Sequence, residues 1–562
     1  MSVVTPPLLR ARRSRDDLLM QIGVGVVAVF LLVMVGLPLW SLLAKGFEDR
    51  DGKFVGLVNY LTYFSTPALF ASAINSIHVA VVCTLIVVPI AFLYAYALTR
   101  AVLPLRWLFQ GVALIPIFAP SLLPGLALIY LFGTQGFFKS WIGGQIYGFE
   151  GIVIAQVFYC LPHAMLILVT ALSTADARLY EAADALGASK LRVFFTVTLP
   201  GAKYGLVSAA LVVFTLVITD FGIAKVIGGN FNVLATDVYK QVIGQQNFSM
   251  GAVVGMVLLA PAALAFAVDR IVQRKQVALL TARAVPLVPR RQLGRDLFYT
   301  LFCTVVAAGI LLILGIAAWG SFIKYWPYNL SLTWDNYKFE AFDANGWDSY
   351  YNSLIMAAGA AVFGTALTFT GAWLVEKTKG IWLLRDLVRL LAFLPMAVPG
   401  LVLGLGYIFF FNAPNNPLNF LYATMAILVI NSVAHFYTVG HLTATTALKQ
   451  IDPEFEAVSA SLKVPIWRTF ARVTAPICLP SILDIAIYLF VNAMTTVSSV
   501  IFLYSPDTKL ASVAAVNIEE AGTTAAATAL CMVIVVTSAA VKALHLLADR
   551  FLLGRLQAWR RR

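Results

Sequence analysis

The residues able to do chemistry are few, and all of them stand in apolar surroundings. Asp220, in the stretch VITDFGIAKVIGG, brings a carboxylate, and Lys225 brings an ammonium a little over one helical turn further on. A charge inside an apolar run is costly enough to mark a functional candidate. Asn431, His435, Asn492, Thr495, Thr496 and Ser499 add neutral donors and acceptors in other apolar runs. Such a set could pass an ion or a polar solute, offering partners in place of water. A structural role fits the same residues: Asp220 could pair with Lys225 or cap a helix break at Gly222, and a buried Asn or His could bond a neighbouring helix.

Motifs for covalent chemistry are missing. Gly52-Lys53 is followed by Phe54, so it is no phosphate loop, and the sequence has neither an HExxH pair nor a nucleophile elbow. The five cysteines fall in or against apolar runs, with no CxxC and no metal-ligand spacing. The chain therefore reads as non-catalytic, with no cofactor or metal of its own.

Composition names the solvent. Of 562 residues 60% are hydrophobic and only 12% charged, too little polar surface for a soluble globule. The net charge of +13 sits in short clusters flanking apolar runs, which encodes membrane topology and argues against nucleic acid. Twelve runs are long enough to cross a bilayer, among them 107–132, 204–226, 390–411 and 482–503. The expectation is an all-α polytopic membrane protein. Most Lys and Arg fall in the termini and alternate loops, which places both termini on the cytoplasmic side of a bacterial inner membrane.

Matched motifs recur along the chain. Asn75-Ser76 returns as Asn352-Ser353, and Pro120, Pro124 and Gly125 return as Pro395, Pro399 and Gly400. The reading is two six-helix units, 1–272 and 297–562, joined by a basic linker at 273–296. The prolines are expected to kink their spans.

Two amphipathic stretches occupy equivalent places. DARLYEAADALGASKLRVFFTVTLP starts at Asp176, and DPEFEAVSASLKVPIWRTFARVTAP starts at Asp452. Asp176 caps a short helix, Gly187 stops it, and Pro200 closes the connection. Two surface helices imply two matched partners.

Glu181-Ala182-Ala183, Leu186, Gly187 and the closing Leu199-Pro200 resemble the EAA loop of binding-protein-dependent ABC importer permeases, in the branch that fuses two type I transmembrane domains. The resemblance implies that each such helix docks on a copy of a cytoplasmic ABC ATPase, which binds the ATP and Mg, while a periplasmic substrate-binding protein delivers a small solute. The second loop departs from the pattern: Ala457 stands where Glu181 does, Lys463 where Gly187 does, and Glu456 is displaced by one residue, while Leu462 matches Leu186. The segment 492–514 and the second loop resemble 2-aminoethylphosphonate permeases, whereas Thr219-Asp220-Phe221-Gly222 is equally similar to ferric-iron, polyamine or thiamine permeases. In either case Asp220, Lys225, Asn431, His435, Asn492, Thr495, Thr496 and Ser499 are the residues expected along the path.

The rival is a proton-coupled secondary transporter, which also has twelve spans in two repeats. Its basic loop would lie between the second and third spans, where this chain has only the short ALTRAVLPLRW.

Overall fold

The computed structural model describes residues 15–141, 143, 146–277, 285 and 287–550. Arg10, Arg12, Arg13, Arg283, Arg560, Arg561 and Arg562, which carry part of the topology argument, lie outside the described residues. Among the described residues the regular structure is helical apart from one two-stranded hairpin, Ile323–Tyr325 with Asn329–Leu332, and an isolated bridge between Glu48 and Phe54. Nine helices are long and apolar enough to span a bilayer among the described residues, and three bent pairs make up to twelve if each is one span.

Two expected spans end early. The helix Lys190–Thr219 stops before Asp220, and Leu479–Thr495 stops before Thr496, so 204–226 and 482–503 are not continuous. Two others are broken rather than kinked: Arg106–Phe118 meets Leu122–Phe132 at 102°, and Trp382–Ala397 meets Gly400–Phe411 at 117°. Each break follows a single 3-10 turn containing a proline, closed by Ala119 N–H to Pro116 O in one half and by Val398 N–H to Pro395 O in the other, both at 3.2 Å. The structural match is thus Pro116 and Pro120 with Pro395 and Pro399. The sequence repeat, read from the spacing of Pro-Gly, was one turn out of register.

Pro200 does not close its connection. The helix runs through it, because the wide turn Phe194–Thr198 ends with Leu199 N–H bonding Phe194 O and leaves no donor wanting at the proline. The same wide turn, Phe470–Thr474, precedes Pro476, and there the helix bends by 75° two residues later.

The first helix of each half packs on the other half. Arg15–Lys45 lies along Asp348–Lys377 and Trp382–Phe393, where Gly23 leaves room for Leu374; Leu293–Gly320 lies along Leu122–Phe132, where Gly320 faces the Tyr130 ring. Small residues give close approach where lipid tails supply no hydrophobic drive between helices. Gly205 shows the same within the first half, since a Cβ there would sit 2.3 Å from that of Ala171.

The repeated Asn-Ser pair acquires a reason. Asn75 Nδ2 donates to Asn232 O at 3.0 Å, and Ser76 Oγ accepts from Leu234 N at 2.7 Å. In the second half Asn352 Nδ2 donates to Lys509 O at 3.1 Å and Ser353 Oγ accepts from Ala511 N at 2.8 Å. Each pair satisfies the backbone of a non-helical segment that follows a broken span, as buried backbone requires.

Candidate functional site

In each half the broken third span abuts the break that ends the fifth. A Cβ on Gly222 would lie 2.3 Å from Ser121 Oγ, and one on Gly400 2.6 Å from Ser498 Oγ. Irregular backbone at membrane depth is tolerated where it is covered by protein or lines a cavity. Here it does both: a cavity of about 450 Å³ opens between the halves against these breaks.

Asp220, His435, Asn492, Thr495 and Thr496 line that cavity, whereas Lys225, Asn431 and Ser499 do not. Asn431 Nδ2 donates to Ser499 O at 2.7 Å, and Ser499 Oγ lies 3.0 Å from Thr496 Oγ1, so these two brace the second break from behind. Asp220 Oδ2 accepts from Ile223 N at 3.0 Å and from Gln156 Nε2 at 3.1 Å. It therefore caps the short helix Gly222–Ile227 while facing the cavity.

Lys225 is turned away from Asp220. Its Nζ pairs with Glu520 of the second half and sits 4.5 Å from the centre of the Tyr239 ring, which stacks at 6.3 Å on Phe502 of the second half. The two halves are thus tied at the ends of Gly222–Ile227 and Ala511–Glu520. Next to this tie, burial pushes the Glu519 carboxyl up to about 7, against a hydrogen bond from Thr524 that acts the other way.

Further lining residues were not among those expected along the path: Tyr159, His163, Thr215, Thr219 and Tyr488. The repeat spacing would have found some of them. Tyr159 is related to His435 as Asp220 is to Thr496, and Thr219 to Thr495 likewise. Among the described residues, the lining contains no Lys or Arg, so Asp220 is its one full charge.

At the opposite end of Lys190–Thr219 stands the surface helix Ala177–Ala185, and at the start of the bent pair Ile466–Ile477 and Leu479–Thr495 stands its counterpart Glu454–Ser461. Asp176 Oδ1 accepts from Arg178 N at 3.1 Å, and Asp452 Oδ1 from Glu454 N at 2.9 Å. Both helices end alike. Ala188 N–H reaches Ala183 O and Val464 N–H reaches Ser459 O, each at 3.0 Å, with Gly187 at φ +67° and Lys463 at φ +52°. This is the left-handed closure that favours glycine, and Lys463 adopts it without one. Glu181, Ala182, Ala457, Leu462 and Leu186 are exposed, the last at 86%, while Ala183 is half-buried.

Each helix is strapped to the bundle. Arg100 Nη2 donates to Leu172 O at 2.7 Å, with its guanidinium 5.3 Å from the Tyr180 ring. In the second half Lys377 pairs with Glu456 at 2.6 Å. Glu456 is therefore the counterpart of Tyr180 in place and in task, and points to the bundle rather than outward. A 600 Å³ groove beside the second helix is lined by Phe455, Val458, Leu462, Arg468 and Arg472.

Residues 87–277 and 368–552 each match the family described as binding-protein-dependent transport system inner membrane component. The chain is 28% identical over 476 residues to the ferric transport system permease protein FbpB of Actinobacillus pleuropneumoniae, covering 81% of this chain and 68% of that one. It is 26% identical over 244 residues to the spermidine/putrescine transport system permease protein PotB of Escherichia coli, covering 41% and 88%. Against the chloroplastic sulfate permease 2 of Chlamydomonas reinhardtii the identity is 25% over 223 residues, covering 38% and 58%.

Proposed function

The chain belongs to the binding-protein-dependent transport system inner membrane components, the permeases of ABC importers, and from that premise we propose that it carries both transmembrane domains of one importer. A cytoplasmic ATPase hydrolyses ATP, a periplasmic binding protein delivers the solute, and this chain supplies the route. The observation that carries the reading is the pair of matched surface helices, each capped by Asp, closed by a left-handed residue and strapped to its own bundle. An exposed helix with closed ends that is strapped to its bundle transmits a push as rigid-body motion. We assign Glu181, Ala182, Ala183, Leu186 and Gly187 to one ATPase contact, and Ala457, Leu462 and Lys463 to the other, with Glu456 positioning the second helix.

The proposed cargo is 2-aminoethylphosphonate, on the likeness of residues 492–514 to permeases for that solute. Its ammonium would meet Asp220, and its phosphonate oxygens would meet the neutral donors Asn492, Thr495, Tyr159 and His435. A ferric or polyamine cargo is the second reading, favoured by the single carboxylate in a cavity without Lys or Arg among the described residues, and by the names of the relatives.

The test is ATP hydrolysis by the purified chain with its ATPase and binding protein, titrating 2-aminoethylphosphonate, ferric iron, spermidine and thiamine. Stimulation by the aminophosphonate alone supports the first cargo. Stimulation by another solute replaces it, and failure to bind an ATPase at all removes the importer reading.

A further inference from the structure

Asp269 lies near the end of the helix Phe248–Val277, is only 3% exposed, and was not singled out in the sequence because a charge close to the end of its span is ordinary. Its Oδ2 accepts from Gln273 Nε2 at 2.7 Å, and Gln273 also reaches Ser208 Oγ at 3.4 Å. Ser208 also acts on this carboxylate, yet among the described residues Asp269 Oδ1 is buried without a hydrogen-bond partner. A buried carboxylate oxygen left unsatisfied is expensive, and such a group calls for an explanation.

The surroundings offer one. Asp269 lines a second cavity of about 130 Å³, whose wall of Val212, Thr215, Leu216 and Met396 is shared with the larger cavity that holds Asp220. Asp269, on Phe248–Val277, packs near Ser208 toward one end of Lys190–Thr219, and Asp220 follows the other end of that helix. Ser208, at the level of Asp269, and Asp220 are twelve residues apart, about 18 Å at the rise of an α-helix. Thr215 stands between them and opens on both cavities. Arg270, next to Asp269, acts on that carboxylate as a nearby positive charge; its guanidinium lies 3.8 Å from the centre of the Phe393 ring and lines neither cavity.

We propose that Asp220, Thr215 and Asp269 form a stepped route for the positively charged end of a solute, with Asp269 as the station nearer the surface helices. The proposal rests on the permease reading and deepens it by naming the charge that the route selects. A cation leaving Asp220 gains a second carboxylate before it reaches solvent, so the passage has no long stretch without a counter-charge. Asp269 keeps one oxygen without a hydrogen bond among the described residues, whereas Asp220 is held through Oδ2 by Ile223 N–H and Gln156 Nε2 and still faces the cavity. That suits transient contact, which has to be weak enough to release.

The test reads the charge of the route without knowing the cargo. Thr215→Cys is introduced into the full chain, whose five native cysteines are buried. Its modification is timed with a trimethylammonium methanethiosulfonate and with a sulfonate methanethiosulfonate. Each rate is divided by the same reagent's rate with a small thiol in solution. The expected preference for the cation is about tenfold or more, falling by about threefold or more in Asp269→Asn and also in Asp220→Asn, and kept in Asp269→Glu. Equal rates for the two reagents, or a preference that Asp269→Asn leaves unchanged, would overturn the route. Binding of the ATPase subunit is measured on the same samples. Loss of that binding with the preference intact counts against the permease reading, whereas binding with a flat ratio counts against the route alone.

Discussion

Lys377 and Glu456 form a 2.6 Å ion pair at the place where, in the other half, Arg100 lies against the Tyr180 ring. A basic residue at the end of the second helix of each half thus holds the surface helix of that half, by charge in one case and by an aromatic face in the other. Charge and cation–π contacts differ in their response to salt, because exposed ion pairs are screened.

The first prediction follows from that difference. Lys377→Met should loosen Glu454–Ser461 and leave Ala177–Ala185 unaffected, at a cost of about 0.5–1 kcal/mol for a half-exposed pair. Hydrogen exchange of the two helices measures it. Equal protection of 454–461 in parent and variant would show that the strap carries no load.

Lys463 occupies a left-handed conformation that its one counterpart in the repeat, Gly187, gives to glycine. Lys463→Gly should therefore stabilise the end of the second helix by about 1 kcal/mol, because a residue with a Cβ is strained there. Thermal unfolding of the purified chain shows the sign. A lowered midpoint would mean that the Lys463 side chain contributes more than the backbone relief returns.

The tie between Lys225 and Glu520 crosses the two halves. Lys225→Glu and Glu520→Lys should each raise the basal ATP hydrolysis of the assembled transporter, and the double exchange should restore it, as coupling between two groups in contact requires. Additive effects in the double exchange would indicate that the two groups act separately.

Glu519 supplies a pH dependence with a defined sign. Its carboxyl is raised to about 7 by burial, so the folded chain holds a proton that the unfolded chain gives up near its ordinary value of 4.5. Stability from this group is present at low pH and is lost as pH rises from about 4.5 to about 7. The thermal midpoint should fall over that window, and Glu519→Gln should flatten the fall. An unchanged slope in the variant would assign the dependence elsewhere.

Much of this was legible in the sequence, for physical reasons that differ from element to element. The apolar runs and the two surface helices declare themselves, because burial in lipid and exposure to water leave opposite compositions over windows of ten residues or more. The Asn-Ser pairs were visible as a repeat, though not as clamps, because their partners lie far along the chain. The breaks at Pro120 and Pro399 could be read only as kinks. Whether a proline bends a helix slightly or turns it through 100° or more depends on what packs against the freed backbone. Lys225 was placed with Asp220 because they are near in sequence, yet three-dimensional packing gave it Glu520 instead. Asp269 was hidden because a charge at the end of a span is ordinary, and only its unpartnered oxygen and adjoining cavity set it apart.

The most direct measurement is uptake into proteoliposomes containing this chain with its ATPase and binding protein, comparing the parent with Gly187→Asp. Nothing lies within 4 Å of a Cβ at that position, and its φ of +67° penalises any side chain, so the change distorts the end of the exposed helix rather than the bundle. The parent is expected to take up solute only with ATP and binding protein present, and Gly187→Asp to insert normally, lose uptake and retain ATP hydrolysis by the partner. Normal ATP-driven uptake by Gly187→Asp, or uptake by the parent without any ATPase, would contradict that expectation.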